Sequence, residues 1–338
     1  GVARQWCGRL GKVDNCQTGV YASLVQGTSA TIIDCRLYLP KEWTDDRSRC
    51  KAAGVPKDVT FKTKSQLALD IVHHARSNGI RYAWVGVDGG YGKEPLFLKT
   101  LDDSGEQFVA DVHRDQSFYL EDPAPCIPDR HSSKGRTPSL YKTGSTRMVV
   151  EQWAASQPEE AWQRISLRDS TKGRLQVDIL TRRVWVWLDQ KQTVRRWHLV
   201  VRRETGAPKT IKYSLSNAPA ETTPERLAYM QGQRYFVERT FQDAKTTAGM
   251  DQYQIRGWLA WQHHMAMVMM AMLFLLETRQ EQEESHPLLS CPDIAGLLAH
   301  FLPRRDITPE EVLRQMEVRH RQRKASIDSA YKRQASDG

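Results

Sequence analysis

The sequence lacks the patterns that mark zinc-finger, disulfide-framed and membrane-spanning proteins. Its six cysteines form no CxxC pair and show no Cys/His ligand spacing, so neither a zinc site nor a disulfide framework is indicated. The longest apolar run, residues 265–276, is shorter than the roughly 20 residues that cross a bilayer, and it predicts a buried helix rather than a membrane anchor. The first residues do not predict a signal peptide. Because the chain opens at Gly1 without an initiator Met, we expect it to begin inside a reading frame.

The most informative feature of the composition is its excess of basic residues. Lys and Arg number 49 against 40 Asp and Glu, a formal net charge of +9. This excess favours a polyanionic partner, with nucleic acid as the first candidate. Reduced thiols and a cytoplasmic location are expected. At 338 residues the chain can bury a substantial core, and two structural units are the natural expectation.

The first third of the chain predicts an α/β core. Two β-prone runs, 16–24 and 29–39, are joined by a short turn and predict a hairpin. A helical pattern near 67–75, a strand over 82–87, a helix over 95–101 and a strand over 107–112 follow, in the order ββαβαβ. Asp88 stands where the 82–87 strand gives way to a glycine-rich turn, and side chains at such strand ends face the ligand crevice. The alternative is a turn-forming aspartate.

The composition and the predicted secondary structure change over residues 113–219. A basic, Pro/Ser/Gly-rich connection contains Lys134 and Arg136, which are candidate DNA contacts. A helix near 151–163 and long strands over 174–188, 194–204 and 209–217 follow, rich in arginine and tryptophan. Basic residues among aromatics suit phosphate contacts and base stacking, although tryptophans on a sheet more commonly belong to a core. This segment predicts a β-rich insertion with one basic face.

The stretch 234–245 combines charge with helical spacing. At about 100° per residue, Arg234, Glu238 and Lys245 fall within roughly 40° of one another. An apolar stripe lies beside them, formed by Val237, Phe241, Ala244 and Ala248. Thr223 as N-cap and Gly249 as C′ residue predict one long helix. The alternative is a surface helix with ordinary Arg–Glu and Glu–Lys pairs.

The C-terminal part predicts further helices. His263 and His264 precede the apolar run and are expected at the polar edge of its helix, without a metal. A short helix over 293–301 and another that opens at Thr308 follow. The basic end of the last helix, residues 319–324, is equally compatible with a solvated tail and with DNA contact.

Together these features resemble the DDE transposases of bacterial insertion sequences, which have a ribonuclease H-like fold interrupted by a β-rich domain. The stretches that carry the likeness are residues 1–5, 11–17, 37–43 and 84–92 and the Glu238 helix, so they span almost the entire chain. The family signature Tyr-x2-Arg-x3-Glu-x6-Lys is met by Arg234, Glu238 and Lys245. Its tyrosine position is Gln231, which is a departure.

The resemblance implies a chemistry for these residues. Asp88 and Glu238 would be the second and third acids of the family and would hold Mg²⁺ or Mn²⁺. Two such ions roughly 4 Å apart stabilise the attacking and leaving oxygens in phosphodiester cleavage and strand transfer. Arg234 and Lys245 would position phosphates, and Tyr235 would stack on a displaced base. The implied partner is double-stranded DNA, at transposon ends and target, in a bacterial cytoplasm and nucleoid, with a homodimer in the end complex and no membrane.

The family's first aspartate has no counterpart here. It lies shortly before the stretch that corresponds to Gly1, whereas Asp14 and Asp34 do not match its position. We therefore expect an N-terminally truncated transposase with impaired catalytic activity. Its sheet should have an exposed edge. The expected domains are 1–112 for the first part of the core, 113–219 for the insertion, 220–282 for the core helices and 283–338 for a basic helical tail.

Two other functions compete with a transposase. A non-catalytic DNA-binding protein would keep the basic insertion and tail and would need no metal, so it predicts salt-dependent binding without Mg²⁺-dependent cleavage. A glycosidase could use the same two acids as acid and base, but it predicts a sugar cleft and no DNA affinity. The basic balance argues against the glycosidase.

Overall fold

The computed structural model describes residues 1–8, 10–129, 137–170, 173–189, 191–204, 210–253, 256–302 and 308–336. Lys134 and Arg136 lie outside these residues. The chain divides into two compact units, Gly1–Pro292 and Asp293–Gly338. The prediction of a mixed α/β fold is confirmed, and the arrangement is compatible with a ribonuclease H-like class.

Twelve strands occur in the described part of the chain. They are β1 Ala3–Cys7, β2 Lys12–Cys16, β3 Thr18–Gln26, β4 Ser29–Tyr38, β5 Val85–Val87, β6 Phe108–Val112, β7 Ser117–Phe118, β8 Met148–Val149, β9 Gln163–Ser170, β10 Gly173–Trp187, β11 Val194–Glu204 and β12 Ile211–Ser216. The predicted hairpin is present as β3 and β4, which form a two-stranded sheet. The preceding hairpin of β1 and β2 was not predicted as strands.

Six strands form the main sheet, in the order β5-β6-β12-β11-β10-β9. β5 and β6 pair in parallel, and the other neighbours pair antiparallel. The strands of the predicted insertion therefore continue the sheet that begins with β5 and β6. This continuity brings residues from β9, β11 and β12 to the same sheet as Asp88.

The described residues also form eleven α-helices. They are α1 Lys41–Thr44, α2 Arg47–Ala52, α3 Lys64–Ser77, α4 Gly89–Gly92, α5 Pro95–Asp103, α6 Val150–Ala155, α7 Pro224–Gly232, α8 Arg234–Thr246, α9 Trp258–Glu281, α10 Cys291–Phe301 and α11 Pro309–Ser336. The predicted helix over 151–163 is wrong after Ala155, because a short 3-10 turn at Glu159–Ala161 leads straight into β9.

One face of the main sheet carries most of the apolar core. Its buried members include Phe108, Ala110, Leu180, Val184, Leu199, Val201, Tyr213 and Leu215, together with Leu98 and Leu101 of α5 and Trp153 of α6. The opposite face has a smaller apolar cluster beneath α7, formed by Ile165, Val177, Ile179, Val200, Ala218, Leu227 and Ala228. Trp197 belongs to the core, as expected for tryptophans on a sheet.

The prediction of one long helix over 223–249 is wrong, because the chain forms α7 and α8. Thr223 caps α7 as predicted, since its hydroxyl accepts a hydrogen bond from the Arg226 amide at 3.3 Å. The break falls at Gly232, a weak helix former. The preceding Gln231 is buried and donates to Ser214 of β12 at 2.7 Å. That attachment and the glycine end the first helix there.

The buried face of α8 also differs from the predicted stripe. Its buried residues are Phe236, Thr240, Asp243 and Ala244. Val237 and Phe241 are half-buried, and Phe241 packs edge-to-face on Tyr21 at 5.5 Å. The observed buried face is therefore turned further from Glu238 than the predicted one, and the Glu238 side chain is 62% exposed.

Helix α9 is longer than the apolar run and only partly buried. It is long and apolar enough to cross a membrane by length and composition, and 28% of its apolar window is buried. The prediction of a buried helix holds for the side that includes Met265 and Met272. It is wrong for the side with Met270 and Phe274, which are 64% and 48% exposed.

The second unit is helical, as predicted. It contains most of α10 and all of α11. Thr308 opens α11 as expected, because its hydroxyl accepts from the Glu311 amide at 3.3 Å.

Candidate functional site

Asp88 lies at the carboxyl end of β5, as the sequence predicts. Its Oδ1 accepts hydrogen bonds from the amides of Gly90 at 2.8 Å and Tyr91 at 3.3 Å. The turn-forming role is therefore real, but it uses one oxygen. Within the described residues Oδ2 of this exposed side chain makes no hydrogen bond. One carboxylate oxygen thus fixes the loop, and the other is free to bind a ligand.

The turn after Asp88 is pressed against β6. A Cβ on Gly92 would lie 1.8 Å from the carbonyl oxygen of Asp111, so no other residue fits without movement. This contact sets Asp88 beside Asp111, the one acid in the apolar strand β6. Asp111 is a residue of the candidate site that the sequence analysis missed. A lone carboxylate within the run Phe-Val-Ala-Asp-Val was the available signal.

Arg234 joins an acid of the sheet to the acid of the helix. Its guanidinium donates to Asp111 Oδ2 at 2.8 Å and to Glu238 Oε1 at 2.9 Å. Asp111 is 18% exposed, whereas Glu238 is 62% exposed. The Arg234–Glu238 pair is also the ordinary i,i+4 pair of the alternative interpretation. The second bond, to Asp111 on another element, goes beyond that interpretation.

The pKa of Arg234 reflects the charges around it. Burial lowers the pKa of Arg234, but the hydrogen bond to Glu238 and the charges of Asp111, Asp88 and Glu238 outweigh burial and raise it. Burial also raises the pKa of Tyr91 to about 12, and the charge of Asp88 acts in the same direction. Asp111 and Glu238 are therefore bonded to one guanidinium, and the charge of Asp88 also acts on it.

A chain of buried polar groups holds Asp111 in place. The Ser214 hydroxyl donates to Asp111 Oδ1 at 2.7 Å, and it accepts from Gln231 Nε2 at 2.7 Å. Gln231 is the residue at the family's tyrosine position. Here it is 4% exposed and faces the sheet. The departure from the signature thus fits a side chain that orients Asp111, and through it Arg234.

Tyr235 and Lys245 flank this group on α8. Tyr235 is 49% exposed, and the guanidinium carbon of Arg168 from β9 lies 4.0 Å from its ring centroid. Lys245 is exposed and makes no ion pair in the described part of the chain. Arg168 was not predicted, because its approach to Tyr235 depends on the register of β9. The roles of Tyr235 and Lys245 remain predictions.

The other aspartates considered for the first acid are engaged away from this site. Asp14 pairs with Lys12 at 3.4 Å on the β2 strand. Asp34 is buried in β4, where it pairs with Arg36 and contacts His74 Nδ1 at 2.8 Å. Both carboxylates are thus paired with residues that are not part of the candidate site.

The donor set suits a hard cation in part. Asp88 Oδ2 and the second oxygen of Glu238 accept no hydrogen bond from the described residues, and carboxylate oxygens are the ligands that Mg²⁺ and Mn²⁺ prefer. No cluster of three or more His, Cys, Asp or Glu side chains poised for a metal occurs among the described residues. Mg²⁺ commonly uses one or two protein carboxylates and completes its shell with substrate phosphate and water, so two acids fit it.

Comparison with curated proteins finds no match to this sequence. A family model described as DDE superfamily endonuclease matches residues 1–174. The matched stretch contains Asp88 and Asp111 and stops before α8. Because it covers more than half of the 338 residues, the chain belongs to the DDE superfamily of endonucleases, whose members use divalent metal ions and act on DNA.

Proposed function

We propose that this chain is a DNA transposase of the insertion-sequence type, built for cleavage and strand transfer of transposon ends in cut-and-paste transposition. The observation that carries the proposal is that Arg234 bonds both Asp111 of β6 and Glu238 of α8, while Asp88 stands at the end of β5, the strand paired with β6. The remaining support is the family and the net charge of +9. A homodimer on paired DNA ends is expected by resemblance.

In this proposal each residue has a role that follows from its chemistry. Asp88 and Glu238 would hold Mg²⁺ or Mn²⁺, which when bound stabilises charge on the attacking and leaving oxygens of the phosphodiester. Arg234 stays anchored by the well-buried Asp111, and its bond to exposed Glu238 can be exchanged for a DNA phosphate. Lys245 adds a second phosphate contact, and Tyr235 offers an exposed ring for a displaced base.

The first acid of the family remains the open position. Among the described residues, Asp14 and Asp34 are held elsewhere, and Asp111 is occupied by Arg234 and Ser214. We propose that this chain binds DNA and a divalent ion, and that cleavage of DNA requires both Asp88 and Glu238. Metal-dependent nicking of supercoiled plasmid that persists in Asp88→Asn or in Glu238→Gln would contradict that statement.

The site itself is tested by Mn²⁺ binding, which does not require turnover. Mn²⁺ titrated into the full chain and followed by electron paramagnetic resonance should bind at a site that needs both acids. Asp88→Asn and Glu238→Gln should each weaken it at least ~10-fold. Asp70→Asn is the matched control, because Asp70 is an exposed acid paired with Lys62 at 2.6 Å on α3, and it should leave the affinity unchanged.

The alternative function is a non-catalytic DNA-binding protein. The observation that favours it is the ion pair that already neutralises one oxygen of Glu238. It predicts that Asp88→Asn and Glu238→Gln bind Mn²⁺ as the unmodified chain does, while DNA binding remains salt-dependent. That result would overturn the catalytic assignment.

A further inference from the structure

Arg202 is a buried cation without a partner. It lies on β11 and is 7% exposed. No hydrogen bond or ion pair of its guanidinium occurs among the described residues, and its Nε is one of the buried atoms that lack a partner. The same set of buried atoms contains neither Nη nitrogen, so the outer edge of the guanidinium remains open to solvent. Buried charges are normally paired, which makes this residue an exception that needs an explanation.

The cross-strand neighbour of Arg202 increases the free-energy cost of burying its charge. Lys212 of β12 is its partner in the antiparallel register. Side chains directly opposite in such a pair lie about 5 Å apart at Cβ, and like charges there destabilise the sheet. A sequence that keeps two cations at this position retains them against the preference of the fold.

Arg202 also lies close to the candidate site. Along β11 it shares a face with Val200, and Val200 stands opposite Ser214, which in turn stands opposite Asp111 of β6. A Cβ on Gly232 would be 3.8 Å from Arg202 Nη1, so the guanidinium reaches the junction of α7 and α8. Arg234 begins the helix that follows this junction.

A fourth cation borders the same place. Arg168 of β9 stacks on Tyr235, and a Cβ at Gly232 would also meet Leu167, the residue beside it. Burial lowers the pKa of Arg202, and the charges of Arg168 and Arg234 act in the same direction, against Glu204 and Asp111. Glu204 has the larger of the two opposing effects, and Asp111 is bonded to Arg234 and Ser214; neither makes a hydrogen bond or ion pair with Arg202 among the described residues. The charge of Arg202 is therefore only partly offset by the protein.

We propose that Arg202, Lys212 and Arg168 form a subsite for a phosphodiester group of the DNA backbone, adjacent to the phosphate that Arg234 would hold. This inference deepens the proposed function and rests on it. The forked guanidinium of Arg202 suits two phosphate oxygens, and Lys212 supplies a point charge on the open side. The subsite also gives the strands of the insertion a function, since β9, β11 and β12 deliver its three cations.

The test is the salt dependence of DNA binding in EDTA, which does not depend on metal or cleavage. Anisotropy of a labelled 30-base-pair duplex, titrated with the full chain over a range of NaCl concentrations, gives the slope of log K against log salt. Arg202→Met and Arg168→Gln should each reduce the magnitude of that slope by about 1, because one phosphate contact is lost. Arg196→Gln is the matched control. It removes the same charge from an exposed residue of β11, six residues or about 20 Å away along the strand.

Stability separates a ligand-binding role from a structural one. Arg202→Met should unfold at an equal or higher urea concentration than the unmodified chain, because it removes a buried, unpartnered cation. Weaker binding together with a lower unfolding midpoint would identify Arg202 as a structural residue and overturn the proposal. An unchanged slope for both Arg202→Met and Arg168→Gln would overturn it as well.

Inorganic phosphate distinguishes the two sources of the ligand. Phosphate should compete with DNA weakly, and only in chains that keep Arg202. Stabilisation of the unmodified chain by phosphate, with DNA binding that ignores Arg202→Met, would assign the site to a free anion and overturn the proposal. If the unmodified chain bound no DNA, the proposed function would fail first. If it binds DNA and only the subsite variants behave like the control, the function stands without the subsite.

Discussion

Arg202 and Arg203 are neighbours in β11, yet the protein treats their charges in opposite ways. Arg203 points to one face of the sheet, where it donates to Asp178 at 3.1 Å and pairs with Glu159. Its cross-strand partner in β10 is that same Asp178. Arg202 points to the other face, where its cross-strand partner is Lys212 and it has no ion pair among the described residues.

The difference in ion pairing between Arg203 and Arg202 distinguishes the two faces of the sheet. The Arg203 face carries the larger apolar core, and there Asp178 and Glu159 neutralise the charge of Arg203. The Arg202 face contains Asp111, Ser214, Lys212 and the α7–α8 junction, and Arg202 has no ion pair there among the described residues. Uncompensated charge costs stability, so its presence at one place indicates a binding surface.

The largest effect on stability is expected when Arg203 loses its cross-strand acidic partner and so comes closer to the unpaired state of Arg202. Asp178→Ala should lower the free energy of unfolding by about 1–3 kcal/mol, because Arg203 and Arg164 lose their shared acid. Urea denaturation of the variant and the unmodified chain measures this loss. DNA binding in EDTA should not weaken, and a loss of binding would show that the two faces do not divide the roles in this way.

The same acid predicts a pH dependence. The hydrogen bonds from Arg164, then Arg203, hold the pKa of Asp178 below its ordinary value, although burial opposes them. A carboxylate with a lowered folded-state pKa adds stability above its unfolded pKa near 4, and that stability is lost as the pH falls through the folded-state value. Unfolding midpoints from pH 7 to pH 2 should therefore fall more steeply in the unmodified chain than in Asp178→Asn. Parallel curves would contradict the assignment.

A smaller effect is expected from the polar chain on the Arg202 face. Ser214→Ala removes the donor to Asp111 and the acceptor for Gln231, and it should cost about 1 kcal/mol. Ser214 is fully buried, so it cannot contact DNA directly. The variant should nevertheless weaken Mn²⁺ binding if Asp111 positions Arg234 beside Glu238. Thr is the conservative replacement at this position and should restore Mn²⁺ affinity.

The smallest effect is expected from giving Arg202 the partner that Arg203 has. Lys212→Asp places an acid opposite Arg202 and should raise the free energy of unfolding by about 0.2–1 kcal/mol. DNA affinity should fall in the same variant, because the subsite loses one cation and gains an anion. A variant that is less stable than the unmodified chain would show that Arg202 is not short of a partner.

Local patterns predicted the parts of the site that one element supplies. The helical period placed Arg234 and Glu238 on one side of α8, and the strand-to-glycine transition placed Asp88 at the end of β5. The alternation of strands and helices also indicated the fold class correctly. The signals for Arg234, Glu238 and Asp88 each lie within a stretch of about ten residues.

The parts that the sequence did not reveal depend on register across the sheet. Asp111 and Ser214 are opposite each other although about 100 residues separate them, and Arg202 joins them only through the β11–β12 pairing. The break between α7 and α8 likewise depends on Gln231 reaching Ser214. Long-range pairing of this kind leaves no periodic trace in the chain, so single-sequence patterns could not predict it.

The pairing of β6 with β12 also has a consequence during synthesis. Val112 pairs with Tyr213, which is synthesised about 100 residues later. At ribosomal rates of about 5–20 residues per second, the interval between their synthesis is about 5–20 s. During that interval an apolar strand that is buried in the finished protein lacks its antiparallel neighbour. Such strands aggregate readily. The yield of soluble protein should therefore depend on chaperones that shield β6 until the last strand of the sheet has left the ribosome.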